Sequence, residues 1–143
     1  IVLSGLNVDI DKFIETLKEK KIKNIKLPVS APFHCKLMDK ATSIMRDKIN
    51  NTNFEKPKNV IISNVTGSET QEIEKIKDLL IKQIESPVRW RESVIYMIKN
   101  GVTNFIEIGP GKVLSGLVKR IDKTINVNTI NKPEDLKNIK PND

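Results

Sequence analysis

His34 is the one histidine among 143 residues and stands inside Leu27-Pro-Val-Ser-Ala-Pro-Phe-His-Cys35. A lone imidazole is the side chain best suited to moving protons near neutral pH. Pro28 and Pro32 bias Leu27 and Ala31 toward extended backbone, and a helix pattern begins near Leu37. His34 is therefore expected at a strand-to-helix corner, where a scaffold commonly presents working side chains. Two readings are open at this point, a proton-transfer base or a histidine packed for structural reasons.

A histidine base needs a group that orients its ring and a nucleophile that it activates. Gln83 or a nearby backbone carbonyl could orient it. Gln83 follows Leu80 by three residues and adjoins Ile84, so it leans toward the apolar face of a helix. A buried amide without partners costs about 1–3 kcal/mol, which makes Gln83 either a core-wall exception or a functional group. The nucleophile is missing. No G-x-S-x-G elbow occurs, since Ser4 and Ser115 each precede a glycine but have Val2 and Val113 two residues before them. Cys35 adjoins His34, but neighbouring side chains at a corner rarely face each other. A second candidate is Gly109-Pro-Gly111, which joins a strand to a helix. It could hold an anion on free backbone N–H groups or simply be a tight turn, and it matches neither phosphate-binding glycine pattern. Lys112 beside it reads as a solvated surface charge.

Composition removes several classes of function. One cysteine excludes an internal disulfide and fits a reducing cytoplasm. Cys35 and His34 are the only soft ligands, short of the roughly four that a structural zinc site needs. No apolar run approaches the ~20 residues of a membrane span, and the chain opens with no signal-peptide pattern. The net charge of +7 points to an acidic partner. Nucleic acid fits poorly, because the lysines are interleaved with acids and the aromatics are few.

The positioning elements follow in order. Ile1 to Ser4 reads as a strand entered without an initiating methionine, as if from the interior of a longer chain. Asn7 or Asp9 can cap a helix carrying Ile10, Phe13, Ile14 and Leu17, with Lys18, Lys20 and Lys21 at its end. Ile22 to Val29 then closes a strand-helix-strand unit. Leu37, Ala41, Ile44, Met45 and Lys48 make the stripe of a second helix ending near Asn50. Asn59–Ser63 is a short strand followed by the turn Asn64-Val-Thr-Gly67. A third helix carries Ile73, Ile76, Leu79, Leu80 and Ile84 up to Pro87. A fourth carries Trp90, Val94, Met97 and Ile98, with Gly101 placed to end it. Asn104–Ile108 is a strand, Val113 to Ile121 a helix, and Ile125, Val127 and Thr129 a last strand before a loose tail. Helices alternating with strands predict an α/β fold with a largely parallel sheet.

Four stretches taken together resemble the C-terminal half of malonyl-CoA:acyl carrier protein transacylases of bacterial fatty-acid biosynthesis. They are Leu27–Met38, Ile62-Ser-Asn-Val-Thr-Gly67, Gln83 through Pro87-Val-Arg-Trp90, and Phe105-Ile-Glu-Ile-Gly-Pro-Gly-Lys-Val-Leu-Ser-Gly116. They occur in order and with fitting spacing over essentially the whole chain. The resemblance implies an α/β-hydrolase-like large subdomain with a ferredoxin-like small subdomain inserted. Residues 1–29 would be the second half of the small subdomain and residues 30–143 the C-terminal part of the large one. It implies a cytoplasmic, monomeric acyltransferase of lipid metabolism that needs no cofactor. A serine in such enzymes takes malonyl from malonyl-CoA and passes it to the phosphopantetheine thiol of acyl carrier protein, which is acidic.

The resemblance further implies that His34 is the general base and Gln83 its orienting residue, in place of a triad aspartate. Phe33 matches a position that favours malonyl over methylmalonyl, and Asn64 a polar residue near the cleft. The serine elbow, the oxyanion-hole glutamine and the carboxylate-binding arginine all lie outside these residues. The chain alone is therefore expected to be inactive, with a sheet lacking its serine-bearing strand and an exposed sheet edge. The alternative is a non-catalytic remnant that binds acyl carrier protein or a partner subunit. His34 and Gln83 argue for the enzyme, since a remnant needs neither.

Overall fold

The apolar periodicities of the sequence become helices in the computed structural model, which describes residues 1–138. Two compact units divide the chain, Ile1–Arg89 and Trp90–Asp143. No helix of the described residues is long and apolar enough to cross a membrane.

The first unit opens with α1, Asn7–Glu19. Leu6, in extended backbone, is its N-cap and no side chain caps it, so Asn7 lies within the helix where a cap was expected. Asp9 instead sits in the first turn, where a carboxylate favours the helix dipole. The end of α1 closes by backbone bonds. Lys21, at φ 55°, donates to the Lys18 carbonyl and Ile22 donates to that of Leu17, the pattern a glycine usually completes. Ile10, Ile14 and Leu17 are half-buried, whereas Phe13 is exposed.

A 3-10 turn, Lys36–Met38, then leads into α2, Asp39–Asn51. The inward face of α2 carries Ala41, Thr42 and Ile49. The expected stripe members Leu37, Ile44 and Met45 are exposed. β1, Ile61–Ile62, pairs antiparallel with β2, Glu69–Thr70. The Asn64–Gly67 turn between them is as the sequence predicts. Gly67, at φ 67°, donates to the Ser63 carbonyl at 2.8 Å, and Ser63 donates to that of Ser68 at 3.0 Å. α3, Ile73–Lys82, buries Ile76, Leu79 and Ile81 and packs on α2. Lys77 of α3 also reaches the segment after α2, its ammonium 5.4 Å from the centre of the Phe54 ring.

In the second unit α4, Trp90–Lys99, ends at Gly101, whose φ of 88° suits a residue without Cβ. β3, Asn104–Ile108, and β4, Asn126–Ile130, pair in parallel with Phe105 opposite Val127, and α5, Val113–Ile121, is the connection between them. Val94, Val118 and Ile125 form the core, with Trp90, Met97, Phe105 and Val127 packed around it.

Three expectations are corrected. The described strands form two separate two-stranded sheets, one antiparallel and one parallel, where a largely parallel sheet was expected. Residues 1–6 and 22–29 form no strand, so the expected strand-helix-strand unit lacks both of its strands. A strand is defined by a hydrogen-bonded neighbour, and these segments have none among the described residues. The expected loose tail begins instead with a 3-10 segment, Pro133–Asn138, and residues 139–143 lie outside the described residues.

Val94 is fully buried. Val94→Ala is expected to lower stability by about 2 kcal/mol through lost burial and the cavity left behind. Urea unfolding of the intact protein measures it.

Candidate active site

His34 lies at the corner before the 3-10 turn and adopts φ 62°, in the left-handed region that few residues other than glycine enter. Held conformations of this kind concentrate at functional sites. The corner is a run of tight local bonds. The Phe33 N–H donates to the Ala31 carbonyl at 3.0 Å, and the Met38 N–H donates to that of Cys35 at 3.0 Å. The Cys35 thiol donates to the Pro32 carbonyl at 3.2 Å, which turns it into its own loop and away from a role as nucleophile.

The ring of His34 reaches 49 residues along the chain. Its Nδ1 stands 3.0 Å from the main-chain carbonyl oxygen of Gln83. A carbonyl oxygen only accepts, so Nδ1 carries the proton, and in the neutral ring Nε2 keeps its lone pair. The imidazole is exposed, which leaves Nε2 open to a reacting group. The neutral ring is thus set in the tautomer that a general base requires.

Gln83 is the C-cap of α3, and the bond from the histidine goes to its main chain. Its Oε1 accepts from Asn64 Nδ2 at 3.3 Å. Asn64 in turn accepts the Arg89 N–H on its own carbonyl at 2.8 Å. The structure therefore joins three of the four residues expected from the sequence in one chain of bonds, His34 to Gln83 to Asn64. Of the two groups left open, it is a backbone carbonyl that the His34 ring bonds. Phe33, the fourth, is exposed beside His34 on the same corner.

The turn at Gly109–Gly111 resolves differently. Gly109, at φ 135°, donates to the Ile130 carbonyl at 2.9 Å, and Gly111, at φ 95°, donates to Asn131 Oδ1 at 2.7 Å. At the start of α5 the Leu114 and Ser115 N–H groups donate to the Glu107 carboxylate, at 3.1 and 2.7 Å. The anion on this helix N-terminus is thus the protein's own side chain. The Ser115 side chain and the Ser115 N–H hold the Glu107 carboxyl below its ordinary 4.5, with the Leu114 N–H adding and desolvation opposing. Of the two Ser115 groups, the N–H makes the bond of full hydrogen-bond geometry. Sequence reasoning missed Glu107. The available signal was an acidic residue near a strand end, two residues before a glycine turn that leads into a helix.

No family model matches the chain. Individual proteins do. The malonyl CoA-acyl carrier protein transacylase of Bacillus subtilis (strain 168) is 40% identical over 137 residues, covering 95% of this chain and 43% of that protein. The protein of the same name from Staphylococcus aureus (strain COL) is 38% identical over 144 residues, covering 100% of this chain and 47% of that one. Among solved structures, the malonyl CoA-acyl carrier protein transacylase of Clostridium perfringens superposes with a TM-score of 0.85 at 39% identity, over 92% of this chain and 42% of that one. A malonyl-transacylase solved in complex with a type II polyketide acyl-carrier protein gives 0.86 at 33% identity, over 93% and 43%. This chain spans less than half the length of the curated relatives it matches.

The α/β fold of this chain thus has its counterparts among acyl-group transferases. More narrowly, the chain is homologous to part of the malonyl CoA-acyl carrier protein transacylases.

A lowered carboxyl pKa stabilises the fold fully above the unfolded value and is lost as pH falls through the folded one. Protection of the Leu114 and Ser115 amides against hydrogen exchange is accordingly expected to be full above pH 4.5 and to decline below it. In Glu107→Gln that protection should be weaker at neutral pH and flat through the same range.

Proposed function

We propose that this chain is the C-terminal portion of a malonyl-CoA:acyl carrier protein transacylase in which His34 is the general base. The observation that carries the reading is the His34 Nδ1 bond to the Gln83 carbonyl, which leaves Nε2 bare. In the first half-reaction a serine outside these residues attacks the malonyl thioester carbonyl, and Nε2 takes the serine proton. The carbon–sulfur bond breaks, and the proton passes to the departing coenzyme A sulfur. In the second half-reaction the phosphopantetheine thiol gives its proton to Nε2 as its sulfur attacks the acyl-serine, and the serine oxygen recovers the proton on leaving.

Gln83 orients the base through its carbonyl. Phe33, next to the base, limits the acyl group to malonyl, and Asn64 borders the cleft. The net charge of +7 suits an acidic carrier protein. We further assign residues 1–29 to a ferredoxin-like small subdomain and residues 30–143 to an α/β-hydrolase-like large one. The complete protein acts in the cytoplasm as a monomer, without a resident cofactor and without nucleic acid.

The intact mass of the native gene product tests the frame. A mass near twice the 16.2 kDa of this chain is expected, since the serine lies elsewhere. In that protein His34→Ala is expected to lower malonyl transfer by about 100-fold or more, the usual cost of losing a general base. A product near 16.2 kDa with no serine-bearing partner overturns the enzyme in favour of a binding remnant.

A further inference from the structure

The hydrogen-bond ladder at the end of α3 has a gap where the histidine binds. In a helix the carbonyl of each residue accepts the N–H four residues later. Gln83 keeps this pattern by donating to the Leu79 carbonyl at 3.0 Å, and Ser86 keeps it by donating to that of Lys82 at 3.0 Å. The next rung would run from residue 87 to the Gln83 carbonyl. Residue 87 is proline, which has no N–H to give. The α-helix proper ends at Lys82. Ile84 and Glu85 bond three residues back to the Ile81 and Lys82 carbonyls, and Pro87 then biases Ser86 away from any further helical turn. Beyond it, the Arg89 N–H bonds to the Asn64 carbonyl and draws the chain toward the turn between β1 and β2.

We infer that Pro87 is a positioning residue for His34, because the N–H it lacks leaves the Gln83 carbonyl to the imidazole. The inference rests on the proposed reading of His34 as a base. A rung from residue 87 would form within one helical turn, whereas the imidazole comes from 49 residues away. The local donor closes the smaller loop and is favoured in that competition. A carbonyl oxygen has two lone pairs, and that of Lys82 accepts from both Glu85 and Ser86. A rung from residue 87 therefore competes for the Gln83 oxygen and weakens the bond that keeps the imidazole proton on Nδ1, which shifts the neutral ring toward Nε2–H.

The experiment is nitrogen NMR of the intact polypeptide with labelled histidine, the His34 signals being assigned by their loss in His34→Gln. The unsubstituted protein is expected to show the Nδ1–H tautomer. Pro87→Ala should shift His34 toward Nε2–H and give a position-87 amide protected from exchange. Replacing Pro87 by lactic acid removes the ring but still supplies no N–H, so Nδ1–H should persist. Persistence of Nδ1–H in folded Pro87→Ala overturns the inference. So does its loss in the lactate variant, an outcome readable even if Pro87→Ala does not fold. The readout is a tautomer, so a failure of malonyl transfer would overturn the proposed function separately.

Discussion

Helix ends leave backbone groups unpaired, and both sites in this chain are built on that constraint. At the end of α3 a carbonyl without a helical partner meets the imidazole of His34. At the start of α5 two N–H groups without helical partners meet the Glu107 carboxylate. The two cases are complementary, since the C-terminal end offers acceptors and the N-terminal end offers donors. Each side chain finds the polarity that its own chemistry can answer. Neither contact needs a dedicated side-chain partner.

The α3 contact gives the proposed orienting residue, a glutamine, a way to hold the ring without an acidic group. A carboxylate would add a negative charge beside the ring, and a carbonyl adds only a dipole. The carbonyl still fixes the proton on Nδ1. The Gln83 side chain is then free for Asn64, which fastens the end of α3 to the turn between β1 and β2. The corner that carries His34 supplies the other half of the geometry. Its left-handed backbone at His34 is costly for a residue with a Cβ, by about 1–2 kcal/mol, and the local bonds of Phe33, Cys35 and Met38 hold it in place.

The two units differ in how they keep themselves together. The second is a parallel strand pair with α4 and α5 around Val94, Val118 and Ile125. The first buries the α3 residues Ile76, Leu79 and Ile81 but leaves Leu3, Leu6, Val8, Ile25 and Val29 exposed. Ile25 and Val29 have strand propensity without a neighbouring strand among the described residues, and propensity alone does not make one. An ion pair between Lys26 and Asp11, at 2.7 Å, ties the segment after α1 back to it.

Helix placement was legible in the sequence because the spacing of apolar residues is a local property. The patterns at Ile73–Ile84, Trp90–Ile98 and Val113–Ile121 needed no knowledge of the rest of the chain. Gly67 and Gly101 marked turns for the same reason. His34 and Gln83 stood out one by one, as the only histidine and as an amide on an apolar face. The residues alone offered Gln83 as one possible partner of His34, and the resemblance to known transacylases singled it out. The tertiary structure decided which atom of Gln83 meets the ring, which face of α2 turns inward, and which anion sits on α5. It also decided that residues 1–6 and 22–29 form no strand among the described residues. Each of these depends on what lies alongside a segment in space, and side-chain periodicity along one segment carries no record of its neighbour.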